Sequence, residues 1–159
     1  MTGAAEISPC GLYRYTLWRW FGMGDRTVRF IGLNPSTADA NQDDPTIRRC
    51  ADFARRWGFD RLCMVNLFAY RATDPRELPA AAERGVDVIG PENDDWLRRT
   101  DAAALTVAAW GNMGWIHGRD AAVSAGRQLH YLRLTALGAP GHPLYLPATL
   151  APQPWSPSP

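Results

Sequence analysis

Four polar stations carry the side chains of this sequence best suited to chemistry. Asn34 stands in Asn34-Pro35-Ser36-Thr37, directly after the apolar run Val28, Phe30, Ile31 that stops at Gly32. Asn66 interrupts the apolar stretch Leu62 to Leu67, and Gly111-Asn112 follows Leu105 to Trp110. His142 lies in the rigid loop Gly138-Ala139-Pro140-Gly141-His142-Pro143. Short apolar runs that end in polar turns read as buried strands, and in open α/β sheets the ligand crevice lies beyond the carboxyl ends of the strands. An Asn carbonyl orients water without being a strong base, and an amide offers a donor and an acceptor together. A His on a rigid loop donates a hydrogen bond to a developing negative charge. All four stations are expected to converge.

Acids follow the first station: Asp39, Asp43 and Asp44. On one reading Asp44 caps the next helix and the others are solvated. On the other, Asp39 and Asp43 supply a general base or bind Mg²⁺. Acids near a pocket repel phosphates unless a metal intervenes, which would move the substrate away from duplex DNA.

The elements that must position these groups read as follows. Residues 1–10 look like a loose start. Tyr13 to Phe21 alternates partly and is rich in aromatics, a strand signal; Gly22 to Asp25 turns, and Thr27 to Leu33 returns, giving an expected hairpin on the sheet edge. Asp44-Pro45-Thr46 starts a helix with Ile47, Cys50, Phe53, Ala54 and Trp57 on one face, ended by Gly58. Leu62 to Leu67 is a second buried strand. Asp74-Pro75-Arg76-Glu77 repeats the cap signature, with Pro79 limiting that helix to a turn or so. Pro91 to Arg99 is a short helix, Leu105 to Trp110 a third strand, His117 to Tyr131 a helix weakened by Gly126, and Arg133 to Leu137 a fourth strand. The expectation is a three-layer α/β sandwich with a central, mainly parallel four-stranded sheet plus an N-terminal β-hairpin. One domain over residues 12–147 would lie between a flexible N-terminus, residues 1–11, and a Pro-rich tail, residues 148–159, extended or disordered.

Bulk composition narrows the classes. A chain of 159 residues, 46% hydrophobic and 21% charged, suits one soluble domain with a real core. No apolar run approaches the roughly 20 residues of a membrane helix, and the first thirty residues carry no basic stretch followed by an apolar core. No membrane association is expected, and a cytoplasmic location follows by default. A net charge of +1 speaks against tight, nonspecific nucleic-acid binding. All 17 basic residues are Arg, so no Schiff-base or P-loop lysine exists. The 3 cysteines form no CxxC pair, which disfavours a zinc or iron–sulfur site made of cysteines alone.

The stations resemble, in order, the motifs of the uracil-DNA glycosylase superfamily. GLNPS (32–36) is similar to the first motif of the mismatch-specific branch, VNLFAYRATDPRELP (65–79) to the second-strand segment, TVAAWGNMG (106–114) to the strand-and-Gly segment before a helix, and GHPLYLP (141–147) to the second catalytic motif. A narrower resemblance is carried by NPSTAD, DDPTIRRC, NLFAYRATDP, GPEND, AWG and HPLYL. Over residues 12 to 147 these look like the DUF1643 family.

The glycosylase resemblance implies hydrolysis of an N-glycosidic bond in DNA or a nucleotide. Asn34 would position water and His142 would stabilise the departing base; Asp39, which the resemblance does not supply, is the candidate carboxylate read from the acidic cluster itself. Gly32, Leu33, Pro35, Ser36, Asn66, Phe68, Tyr70, Gly111 and Asn112 would bind substrate, with Asn66 reading the base and Phe68 or Tyr70 stacking on it. The implied partner is nucleic acid or a small nucleotide or base; no cofactor is expected. The sequence departs from the superfamily in its acids after the first motif and in HPLYL, where Leu144 or Tyr145 could be a wedge or could begin a last core strand. Cysteine ligands for an iron–sulfur cluster are missing.

Each assignment has a structural alternative. Asn34 could only tie its turn. Asn66 could be a satisfied core amide, although burying it without partners is expensive. His142 could bond a carbonyl. Phe68 and Tyr70 could be core, and His117 and His130 read as ordinary helix residues. Arg48, Arg49, Arg55 and Arg56 could touch phosphate or form a solvated face. Two other function classes stay open: a non-catalytic module binding a nucleotide, a base or modified DNA, and a metal-assisted phosphoesterase using Asp39 and Asp43.

Overall fold

A computed structural model describes residues 2–157. Its seven strands are β1 (Thr2–Ile7), β2 (Arg14–Trp20), β3 (Thr27–Gly32), β4 (Arg61–Asn66), β5 (Leu105–Ala108), β6 (Leu129–Tyr131) and β7 (Gln153–Trp155). Four α-helices accompany them: α1 (Pro45–Arg56), α2 (Glu77–Glu83), α3 (Asn93–Arg99) and α4 (Arg119–Ser124). The strands form one mixed sheet in the order β1-β2-β4-β3-β5-β6-β7. β3 runs parallel to β4 and to β5, and β5 runs parallel to β6. The outer pairs β1–β2, β2–β4 and β6–β7 are antiparallel.

β3 sits at the centre, and its side chains over 28–31, apolar apart from Arg29, are buried toward both faces. Val28 and Phe30 point into a cluster built on α1, and Ile31 points into a second cluster with Leu78 of α2, Leu97 of α3 and Val123 of α4. All of these side chains are buried. A continuous apolar run is the mark of a strand covered on both sides. β4 alternates likewise: Leu62 and Met64 face α1, Cys63 and Val65 the other helices. Helices thus cover both faces of the sheet.

α1 follows from its sequence. The Asp44 carboxylate accepts the Ile47 N–H at 2.9 Å, Pro45 occupies the first turn, and Arg55 and Arg56 sit at the negative end of the helix dipole. Ile47, Cys50, Ala51, Phe53 and Ala54 form the buried face. Trp57 stacks on Phe30 with ring centroids 5.9 Å apart, a contact of about 0.5–1.5 kcal/mol beyond area burial. Gly58, at φ +79°, turns the chain away.

Several expectations need correction. The sheet has seven strands and is mixed, where four mainly parallel strands were expected. The hairpin of 13–21 with 27–33 does not form, because β4 lies between its two arms. Arg61 pairs with Trp20 on one side and Thr27 on the other. An apolar strand such as β4 needs neighbours on both edges, and the turn after β2 is long enough to step over its start. Residues 2–7, read as loose, form β1 and cover the outer edge of β2, whose backbone would otherwise be unpaired. The expected helix 117–131 shrinks to α4. Gly118 enters it in the left-handed conformation at φ +64°, and Gly126, at φ +74°, follows its end. His117 lies in a 3₁₀ turn and His130 in β6. The fourth parallel strand is therefore β6, while 133–137 belongs to a tight loop closed by a Leu134–Pro140 bridge. The Pro-rich tail supplies β7, where Pro154 is tolerated because the strand is an edge. Met1, Ser158 and Pro159 lie outside the described residues.

Candidate functional site

β3, β4 and β5 end side by side, and a cleft of about 430 Å³ opens at their carboxyl ends. Gly32, Leu33, Asn34, Pro35, Ser36, Asn66, Asn112 and His142 all line it. The convergence expected of the four polar stations is realised in this cleft. Further wall comes from the start of α1, the loop at 72–75, the segment after β5 and the 3₁₀ turn Pro143–Tyr145.

The Asn34 amide nitrogen donates to the carbonyls of Ala72 at 2.9 Å and Pro35 at 3.2 Å. Two carbonyl partners fix which end is nitrogen, and the carboxamide oxygen is left to turn to a ligand or water. The turn-tying role is therefore filled by the amide nitrogen, and the oxygen is not engaged in it. Asn66 ends β4 directly opposite Gly32 of β3. It is buried, and its Nδ2 has no hydrogen-bond partner. A Cβ on Gly32 would lie 2.7 Å from the Asn66 Oδ1, so glycine there makes room for this amide. The backbone beneath it is held by Asn93 at the start of α3, whose Nδ2 donates to the carbonyls of Asn66 and Leu67.

His142 caps the following 3₁₀ turn: its Nδ1 accepts the Leu144 N–H at 3.2 Å. An Nδ1 that accepts carries no proton, so the neutral ring keeps its proton on Nε2. Burial pushes the imidazole below its ordinary value, against the attraction of Asp44. The residue is thus a neutral donor at neutral pH. Arg49 of α1 donates to the Leu146 carbonyl and ties this loop to the helix.

The acids divide in a way the sequence did not reveal. Asp44 is the one carboxylate in the lining of the cleft. The Asp39 Oδ1 accepts the N–H groups of Asn41 and Gln42, which close its own loop and hold its carboxyl below the ordinary value. Asp43 pairs with Arg19 at 2.8 Å. Among the described residues, no group of three or more His, Cys, Asp or Glu is arranged to hold a metal.

Other expected site residues lie elsewhere. Phe68 is fully buried in the core, and Tyr70 packs edge-on against Tyr13; neither lines the cleft. The aromatics that do are Trp110 and Tyr145, the latter largely exposed beside His142. Gly111 lines a wider neighbouring groove of about 990 Å³ with Trp115, Leu137 and Trp155. Asn112 borders both cavities and accepts a hydrogen bond from Thr135. None of the buried unpaired side-chain atoms belongs to that wider groove, whereas Asn66 Nδ2 and Arg14 Nε belong to residues that line the smaller cleft. Of the α1 arginines, Arg56 pairs with Asp52 and Arg55 stacks over Phe21.

One residue was missed altogether. Arg14, at the start of β2, is buried yet lines the cleft. β2 runs antiparallel to β4, so its first residue lies where the parallel strands end. The available signal was an Arg inside an aromatic strand, since a buried charge calls for a partner.

The fold and site define an α/β protein with an open cleft at the carboxyl ends of its central parallel strands. A family model described as "Protein of unknown function (DUF1643)" matches residues 14–144, and the chain belongs to that family. No curated protein and no solved structure matches the chain.

Proposed function

We propose that the cleft binds a nucleobase and hydrolyses its bond to the sugar, in the manner of the uracil-DNA glycosylase superfamily that the motifs resemble. The observation that carries this reading is a buried amide with an unpartnered nitrogen, Asn66, in one cleft with Asn34 and a neutral His142. Asn66 presents a hydrogen-bond donor to the base edge, and Trp110 or Tyr145 supplies the apolar wall. Asn34 orients the attacking water through its free oxygen. Asp44 takes the role that the sequence reading gave to Asp39, because it is the carboxylate that reaches the cleft.

The water oxygen bonds to C1′, and the C1′–N bond breaks with its electron pair passing to the base. Asp44 accepts the proton of the water. The His142 Nε2–H stabilises the base anion until solvent protonates it. The test is base release. Folded protein is incubated with single- and double-stranded oligonucleotides carrying uracil, hypoxanthine or modified pyrimidines, and with free nucleotides, and freed base is read by mass spectrometry. Release that is lost in Asn34→Ala and in His142→Ala supports the reading; no release from any substrate rejects it.

One observation favours a second reading. Asp44 already uses an oxygen as the cap of α1, which weakens it as a base. The cleft would then belong to a non-catalytic module for a nucleotide, base or modified DNA, and the same two substitutions would weaken binding with no turnover to lose. A metal-assisted phosphoesterase is less favoured, since the Asp39 and Asp43 carboxylates are engaged within their loop and with Arg19. A thermal shift with millimolar Mg²⁺ or Mn²⁺ would revive it.

A further inference from the structure

Four arginines are buried among the described residues: Arg14, Arg19, Arg29 and Arg119. Three have a carboxylate beside them, Asp43, Asp101 and Asp94, at 2.8, 2.8 and 2.9 Å. Arg14 has none within ion-pair distance. Its Nη1 donates to the Ala38 carbonyl at 3.0 Å, and its Nε has no partner. Of the four, Arg14 alone borders the cleft. Burying a guanidinium without a counter-charge is strongly unfavourable, and a fork of donors with an unused arm suits a planar or tetrahedral anion.

We propose that Arg14 is an anion subsite of the cleft, and that the ligand carries an anionic group, phosphate or carboxylate, which completes the pairing its three counterparts make within the protein. Asp44 shares the cleft without pairing with Arg14, and its Oδ1 is held by the Ile47 N–H. Asp44 therefore limits the net charge that the subsite tolerates rather than filling it. The subsite stands whether or not the cleft cleaves a base–sugar bond. It deepens the proposed function by directing the search to nucleotides, or to bases bearing an acid group, over plain nucleosides.

The test titrates the nitrogen-15-labelled full chain with inorganic phosphate at constant ionic strength, set with chloride, while the arginine Nε–H resonances are followed. The expected result is a saturable shift of the Arg14 signal, with those of Arg19 and Arg29 unmoved. A nucleoside, its 5′-monophosphate and a pyrimidine carrying a ring carboxylate are then compared by calorimetry. The charged forms should bind about tenfold or more tighter than the nucleoside, the scale of a charge-assisted hydrogen bond. That ratio should fall to about one in Arg14→Met. Preference for the monophosphate names phosphate as the group, and preference for the ring acid names carboxylate. An unmoved Arg14 signal in the wild type with all of these ligands overturns the proposal without needing any variant to fold, and so does a ratio that survives Arg14→Met. Anion binding without base release would leave this subsite standing and reject the hydrolytic reading.

Discussion

Arg29 and Arg14 are both buried cations on strands of one sheet, and they are satisfied in opposite ways. Arg29 lies in β3 beneath the end of α3. Its Nη1 donates to the Leu97 carbonyl and to the Thr100 hydroxyl, its Nε donates to the Thr106 hydroxyl, and its Nη2 pairs with Asp101. Carbonyls at a helix C-terminus and a nearby carboxylate suit a cation, so Arg29 itself is satisfied within the chain. At the other end, Arg14 keeps an unpartnered Nε and Asn66 an unpartnered Nδ2, both beside an open cleft. Buried polar groups are otherwise almost always paired. Where they are paired within the chain they hold the fold; at the cleft, the proposed ligand would supply the partners that Arg14 and Asn66 lack.

The largest expected effect tests the open end. Asn34→Ala and His142→Ala should each lower kcat for base release by about 10²–10³, the scale of losing one oriented donor or acceptor at the reacting centre. Thermal denaturation should show both variants still folded. Equal loss of stability and activity would mean that the cleft residues are structural like Arg29, and the contrast would collapse.

Next is the closed end. Arg29→Met should cost about 3 kcal/mol in denaturant unfolding, because Leu97, Thr100, Thr106 and Asp101 lose a shared partner. Ligand affinity of the folded fraction should be unchanged. A smaller effect is expected for Asn66→Leu, which removes an amide that the chain does not satisfy. Stability should stay within about 1 kcal/mol of wild type, whereas binding of base or nucleotide is lost. A large destabilisation would place Asn66 with Arg29.

The smallest effect concerns pH. Burial holds the His142 imidazole below its ordinary value of 6.5, so the unfolded chain takes up the proton first on acidification. Its contribution to stability is present above 6.5 and is lost as pH falls through the lower, folded value. His142→Asn keeps an acceptor for the Leu144 N–H and should flatten this acid-side decline in Tm. An unchanged pH profile would remove His142 from the buried, neutral state assigned to it.

Local chemistry made much of the molecule legible. The cap, proline and apolar spacing of α1 were readable because they act within a few residues. The apolar runs of β3, β4 and β5 were readable because burial on both faces leaves no alternation. Asn34, Asn66 and His142 stood out because polar residues at strand ends or on rigid loops are visible without knowing what lies opposite. Less visible was Asn93, within the quoted segment GPEND, whose role depends on two carbonyls of β4.

By itself, then, the sequence determined which segments are buried, how α1 begins and ends, and which side chains stand at strand ends. These are short-range properties of spacing and backbone chemistry. The tertiary structure alone decided that β4 enters between β2 and β3, that β1 and β7 close the edges, and that the antiparallel course of β2 carries Arg14 to the cleft. It also separated Asp44 from Asp39 and Asp43, which are neighbours in sequence but point to different partners. Periodicity records whether a side chain is buried and not which strand or charge it meets, because that depends on edges competing for partners across the whole chain.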